Sequence, residues 1–255
     1  MKHRMIWYKA WRETRTRFAA IAFVLIAFCL FAVLSFRRAE AAESLVPPAF
    51  HAANYSQHVY NIMYSGTAKG SFALLSMFLG LGGLLRERRL KCALFTLALP
   101  VSRTGLLAIF AAVGLCELAV LALLPGALIP GLSLLFQQYY PLQEALHFSI
   151  MWFGGGSVIF AAALFLSVIF EGEYTAPVAC FVVFMLESLI GAWRRLMPWH
   201  LNVFQTMGDF GAMHWDARHV LLLNDSLHWT RLSVILLIAC AILLAAIQIT
   251  RKQDF

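Results

Sequence analysis

Long apolar runs alternate with short charged stretches along the whole chain. Six runs stand out: Phe18 to Phe36, Ser65 to Leu85, Gly105 to Leu124, His147 to Phe170, Thr175 to Trp193 and Leu232 to Ile249. Each is close to the ~20 residues that a helix needs to cross the hydrocarbon core of a bilayer. Apolar character continues from turn to turn instead of alternating at period two. Backbone groups in lipid must also satisfy their own hydrogen bonds, so the runs predict helices rather than barrel strands. The expected fold class is all-α, a polytopic membrane protein with six transmembrane helices in a single domain over residues 1–255. It divides into an N-terminal segment (1–17), a six-helix bundle (18–249) and a short tail (250–255).

Composition sharpens this picture. The 255 residues are 61% apolar and 13% charged, with a mean hydropathy of +0.76; a soluble domain carries ~25% charged residues. Six spans consume roughly 120 residues, and no remaining loop is long enough for a nucleotide-binding or catalytic domain. Any energy source must come from another polypeptide. Ala39-Glu40-Ala41 resembles a signal-peptidase site, but the run before it is longer than the 7 to 15 residues of a secretory signal and follows a long polar lead-in, so it is expected to be retained. The five cysteines, at 29, 92, 116, 180 and 240, form no C-x-x-C pair and suggest neither a disulfide framework nor a metal site.

The net charge of +7 comes from basic residues flanking the apolar runs, which reads as membrane orientation and not as nucleic-acid binding. Lys2, Arg4, Lys9, Arg12, Arg15, Arg17, Arg86, Arg88, Arg89, Lys91, Arg103, Arg251 and Lys252 fall on one side of a six-span topology. Arg37, Arg38, Lys69, Arg194, Arg195, Arg218 and Arg231 fall on the other. The majority side is expected to be cytoplasmic, with both termini on it. Arg37, Arg38 and Lys69 are expected to reach the outer headgroups by snorkelling.

Several segments are candidates for function. Trp7, Trp11, Thr14 and Phe18 recur on one helical face, with Lys9, Arg12 and Glu13 turned away, as in an amphipathic elbow lying in the inner interface; an ordinary charged flank is the alternative. Residues 86–104 read RERRLKCALFTLALPVSRT, polar at the ends with an apolar middle that needs a partner surface or its own bundle to cover it. Glu117 and Glu187 lie inside spans, where a carboxylate costs roughly 2.5 to 3.5 kcal/mol and faces the bundle interior or a wet cavity. They are either a relay or carboxyls that fix packing, and no intramembrane Lys or Arg suggests a relay partner. Gly80, Gly82, Gly83, Gly154, Gly155 and Gly156 predict close helix packing.

Gly66-Thr67-Ala68-Lys69-Gly70-Ser71 lacks the order of a phosphate loop, and neither H-E-x-x-H nor G-x-S-x-G occurs. The segment Arg194 to Arg231 carries Trp199, Trp215, Trp229, Phe204, Phe210 and the histidines 200, 214, 219 and 228. It reads as a re-entrant or interfacial hairpin. His214, Asp216 and His219 could in principle share a metal, but the two histidines are five apart, which does not align both imidazoles on one helical face as a spacing of four does, so no metal site is expected.

Trp7-Tyr8-Lys9-Ala10-Trp11-Arg12-Glu13, then Arg86-Glu87, Pro100-Val101-Ser102-Arg103, Glu117 and the turn Glu171-Gly172-Glu173-Tyr174 give the chain a pattern that resembles the ABC-2 type permeases, the membrane subunits of ATP-binding-cassette exporters. Many members carry Gly-Thr shortly after the Glu, where this chain has Lys91-Cys92. The resemblance implies a coupling helix within 87–103 docking on a separate ATPase, with Glu87, Arg88, Arg89, Phe95, Pro100 and Arg103 at the contact and Glu171 and Glu173 in a second inner turn. It implies an elbow helix with Trp7, Trp11, Arg12 and Arg15. It also implies ATP and Mg on the partner chain with no cofactor or catalytic site here, a second or sister permease copy, lipid contacts, and a bacterial-type inner membrane. Two other readings stay open: an intramembrane hydrolase or lipid-modifying enzyme using Glu117, Glu187 or the outer histidines, and a non-transporting scaffold subunit.

Overall fold

The computed structural model describes residues 2–42, 51–81, 103–170, 175–192, 202–209, 213–215, 221–223 and 228–252. The helices among them are α1 (Lys2–Ala42), α2 (His51–Val59), α3 (Thr67–Gly80), α4 (Arg103–Leu135), α5 (Leu142–Ile169), α6 (Thr175–Ala192), α7 (Val203–Gly208) and α8 (Trp229–Lys252). The helical fold class is as expected, with one small departure. Met213–Trp215 (β1) and Leu221–Leu223 (β2) pair antiparallel, Met213 opposite Leu223. Four segments are long and apolar enough to cross a membrane: Met5–Phe36, Thr104–Leu135, Leu142–Ile169 and Trp229–Lys252. The helices in the other two expected spans, α3 and α6, have 14 and 18 residues.

Local sequence explains where the elements differ from expectation. No Gly or Pro interrupts residues 2–42, so the segment expected as an elbow and the first span form one continuous helix of 41 residues. The third span was expected to stop before Pro125. Instead α4 runs on through Pro125 and Pro130 to Leu135. Each proline removes one backbone donor, but the helix beyond stays anchored: Ser133 donates to the Ile129 carbonyl (2.6 Å) and shares a 2.6 Å hydrogen bond with Tyr55. The stretch 51–65, in which no element was expected, forms α2 and a π-helical turn, Tyr60–Ser65. Its aromatic side chains, Tyr55, Tyr60 and Tyr64, are fully buried.

Residue pairings show that the six long elements alternate in direction. Ala10 clusters with Phe110 and Val113, and Phe36 meets Tyr55, which bonds Ser133, so α1 and α4 run the same way. Leu107 and Ala111 cluster with Leu164 and Val168, while Gly126 lies against Ala145 and Ser149, so α5 runs back. Phe72 stacks on Trp152 and Gly80 touches Phe160, which makes α3 parallel to α5. Gly154 faces Leu232 and Ala246 joins Leu164, which makes α8 parallel to α5 as well. Ala176 and Cys180 pack near Met77 and Leu81, whereas Glu187 approaches Phe204. Helix α6 therefore runs with α1 and α4.

The bundle has two ends. One holds the N-terminal part of α1, the C-terminal part of α8, the end of α3 and the start of α4. The other holds residues 55–69, 133–148, 187, 202–209 and 228–232.

Helix α5 is the centre: 67% of its most apolar window is buried, against 28% in α1 and 22% in α8. Close approach depends on small residues. A Cβ on Gly80 would stand 2.5 Å from the Phe160 carbonyl oxygen and 2.8 Å from the Ala163 methyl, neither of which can swing away. Gly131 has no neighbour within 4 Å of such an atom. Replacing Gly80 by Ala is expected to destabilise the protein by about 1–3 kcal/mol through overpacking, whereas Gly131→Ala leaves stability unchanged or slightly raised. Thermal unfolding of the two variants in detergent checks this, and equal melting temperatures would refute the assigned α3–α5 contact.

Candidate functional site

Polar chemistry concentrates in two places, one at each end of the bundle. At the end away from the termini, α7 lies against α5 and α6. Asn202 caps α7, its Oδ1 accepting from the Gln205 N–H at 2.8 Å. Its Nδ2 donates to the Glu187 carbonyl (3.1 Å), and the Phe204 N–H donates to Glu187 Oε1 (3.4 Å). Lys69 is 7% exposed, with Nζ 4.3 Å from the centre of the Phe204 ring and in electrostatic reach of Glu187. This corrects two expectations: Lys69 does not snorkel to a headgroup, and Glu187 does have a buried cationic neighbour. A lysine flanked by Ala68 and Phe72 on one buried helical face finds a ring and a carboxylate nearer than water.

Asp209 follows α7 in a left-handed conformation (φ 37°), and its side chain is wholly enclosed. His147 Nε2 lies 2.7 Å from Asp209 Oδ2, His228 Nδ1 lies 3.6 Å from the same oxygen, and Arg231 Nη1 is 3.8 Å from Oδ1. The Tyr60 hydroxyl donates to the adjacent Gly208 carbonyl at 2.9 Å. The Asp209 carboxyl thus ties the 202–209 segment to α5 and the start of α8, and the Gly208 carbonyl ties it to the π-helical turn. Among the described residues, no group of three His, Cys, Asp or Glu side chains is arranged to hold a metal ion.

Nearby, Ser35 Oγ and His58 Nε2 are 2.9 Å apart. The Ser35 hydroxyl also has the Ala32 carbonyl as an acceptor, and no described carboxylate orients the imidazole, so the pair lacks the third member of a hydrolytic triad. Burial disfavours the charged form of His58 and lowers its pKa from the ordinary 6.5.

At the opposite end, Trp7, Trp11, Thr14 and Phe18 do share a face, as expected, and that face meets α4. Thr14 Oγ1 hydrogen-bonds Glu117 Oε1 and lies 3.2 Å from the Ala10 carbonyl. Glu117 is 5% exposed, and its Oε2 has no hydrogen-bond partner among the described residues. Trp7, Tyr8, Trp11 and Phe18 of α1, with Val113, Cys116, Glu117 and Val120 of α4, line a groove of about 400 Å³. Arg12 and Arg15 are exposed on α1.

Glu87, Arg88, Arg89, Phe95, Pro100, Glu171 and Glu173 lie outside the described residues, as do His200, Asp216 and His219. Arg103 is the first residue of α4, and His214 lies in β1. Sequence reasoning missed His147, Asp209 and Tyr60. Their available signal was position: each is a polar-tipped residue at the edge of an apolar run, and only the fold shows that those edges converge.

Replacing Asp209 by Ala leaves His147 and Arg231 facing an empty site and is expected to destabilise the docked segment by about 1–3 kcal/mol. In that background Met207→Cys, buried in the parent, should become reactive to a soluble maleimide; continued protection would refute the tie. For His58 the lowered folded pKa means that its contribution is complete above pH 6.5 and is lost as pH falls through the folded value. Melting temperature should therefore fall between pH 7.5 and 5.5, less so in His58→Gln. No protein-family model matches the chain, and no curated protein or solved structure matches it either.

Proposed function

We propose that the chain is the membrane-spanning permease subunit of an ATP-binding-cassette exporter of the ABC-2 type, forming the substrate pathway and driven by a separate ATPase subunit. The observation that carries this reading is the alternation of the six long elements. It brings the end of α3, the start of α4, the end of α5, the start of α6, the start of α1 and the end of α8 to one end of the bundle. Residues 82–102, with their cluster of basic residues and apolar middle, join α3 to α4 in the sequence. On this reading the same end is cytoplasmic, α3 and α6 complete a set of six spans, and the connection presents a coupling helix to the ATPase. The exposed apolar side chains of α6, among them Phe181, Val182 and Leu186, would face lipid or a second permease copy.

The division of labour follows. ATP and Mg belong to the partner, whose closure draws the coupling segments of two permease copies together and tilts their bundles. This chain has no catalytic residue in that scheme. Glu87 and Arg103 bracket the contact, so Glu87→Arg and Arg103→Glu are expected to lose co-purification with the ATPase, or to uncouple its ATP hydrolysis from transport, while still inserting in the membrane. Unchanged association and transport in both variants would refute the coupling-segment assignment.

A further inference from the structure

The two most exposed long helices, α1 and α8, place the edge of the hydrocarbon at different depths. In α8 no charge occurs between Arg231 and Arg251. That is twenty residues, about 30 Å, the thickness of a bilayer core. Ala246, near the terminal end of this run, packs with Leu107 and Ala111 of α4. Ala10 of α1 packs with Phe110 and Val113, and Thr14 bonds Glu117. Ala10 is therefore as deep as Ala246, yet Arg12, Glu13, Arg15 and Arg17 lie deeper still before the apolar run of α1 begins at Phe18. The two runs are offset by roughly 15–20 Å. Sliding the protein to suit α1 would carry Leu244 of α8, 59% exposed, into water and Arg231 into lipid. The bilayer must instead differ in level from one side of the protein to the other.

We propose that Tyr8, Arg12 and Arg15 hold the phosphate of an anionic phospholipid, and that the leaflet at the terminal end dips along α1 to bring it there. The three residues recur at i, i+4 and i+7 on one ridge of α1, and all are exposed, as is Thr16. Arginines at hydrocarbon depth are costly, and a bilayer relieves the cost by thinning and admitting water and headgroups. Two guanidinium groups three residues apart match the oxygens of one phosphodiester, and Tyr8 adds a hydroxyl donor one turn nearer the terminal end. The other charges of the segment are engaged: Lys9 lies 3.9 Å from Glu13, and Arg17 has an interaction of its own. The acyl chains then run along the exposed Ala19, Ala20 and Phe23. A zwitterionic lipid would bring an ammonium toward two cations, and a second copy of this ridge would set arginine against arginine. This inference rests on reading the long apolar helices as membrane spans, and not on coupling to an ATPase.

The test uses the purified full chain, without any ATPase, in nanodiscs of phosphatidylglycerol and phosphatidylcholine in equal parts. Thr16→Cys and Leu244→Cys are exposed to a membrane-impermeant maleimide, with labelling read peptide by peptide so that the native cysteines stay. Thr16 is the deeper of the two by its contacts, so a level bilayer protects it at least as well as Leu244. The dip predicts that Thr16→Cys reacts several times faster; equal protection, or a faster Leu244→Cys, would overturn it. Native mass spectrometry of the released chain then identifies the occupant. Phosphatidylglycerol should be retained in preference to phosphatidylcholine, the preference falling about tenfold when Arg12 and Arg15 are both replaced by Gln and surviving in part when both are replaced by Lys. Equal retention of the two lipids by the parent, or an unchanged preference in the Gln variant, would overturn the assignment. Displacement of the lipid by excess inorganic phosphate would overturn it too, by identifying a site for a free anion.

Discussion

Helices surrounded by lipid gain little from the hydrophobic effect when they meet, because lipid tails are as apolar as the helices. Association then depends on how closely surfaces fit. Here that requirement falls on α5. Its glycines at 154, 155 and 156 lie against Leu232, Met207 and Phe72, on three different neighbours. Three consecutive small residues point in three directions around a helix, so one short stretch admits α8, α7 and α3 together. Trp152, two residues before the first of them, fills the space toward α3 by stacking on Phe72 at 4.7 Å and edge-on to Tyr64 at 5.6 Å.

Close packing of the centre sets where polar groups can go. The middle of α5 offers only serine hydroxyls beside its glycines and apolar side chains, and Ser157 and Ser167 donate to carbonyls of their own helix. Charged side chains collect at the ends, where connections supply partners. The 202–209 segment acts as a polar cover: Asn202 and the Phe204 N–H meet Glu187, and Asp209 meets His147 and Arg231. Its apolar member, Met207, fills the hollow left by Gly155. A glycine in α5 and a methionine fifty-two residues later are thus one contact.

The span pattern was legible because it depends on composition over a turn or more. Phe18 to Phe36, Gly105 to Leu124, His147 to Phe170 and Leu232 to Ile249 all lie within or almost within the helices observed. The glycines were legible as packing positions for the same reason. What the sequence hid were continuations and meetings. Pro125 argued for an end that tertiary anchoring overrides, and the polar-looking stretch 51–65 gave no sign that its tyrosines are core. Lys69 looked like a headgroup anchor because its partners, Phe204 and Glu187, are more than a hundred residues away. Of the candidate site, Glu117 and the Trp7–Trp11–Thr14 face were each visible, but not that Thr14 and Glu117 are hydrogen-bonded to one another.

The two intramembrane carboxyls looked equivalent in the sequence, and their surroundings separate them. Glu187 has a lysine in electrostatic reach, accepts from a backbone N–H and has its own carbonyl capped by Asn202. Protein groups meet its needs, and the same contacts hold α7 in place, so its role is to position that segment. Glu117 has one hydroxyl and, among the described residues, nothing for its second oxygen, although a helix-centre carboxyl is costly to insert and is expected to be fully compensated. Packing alone does not account for that asymmetry: Thr14 already joins α1 to α4, and an amide would accept its hydrogen bond as well as a carboxyl does. Of the two acids, Glu187 is the one whose needs are met by described protein groups.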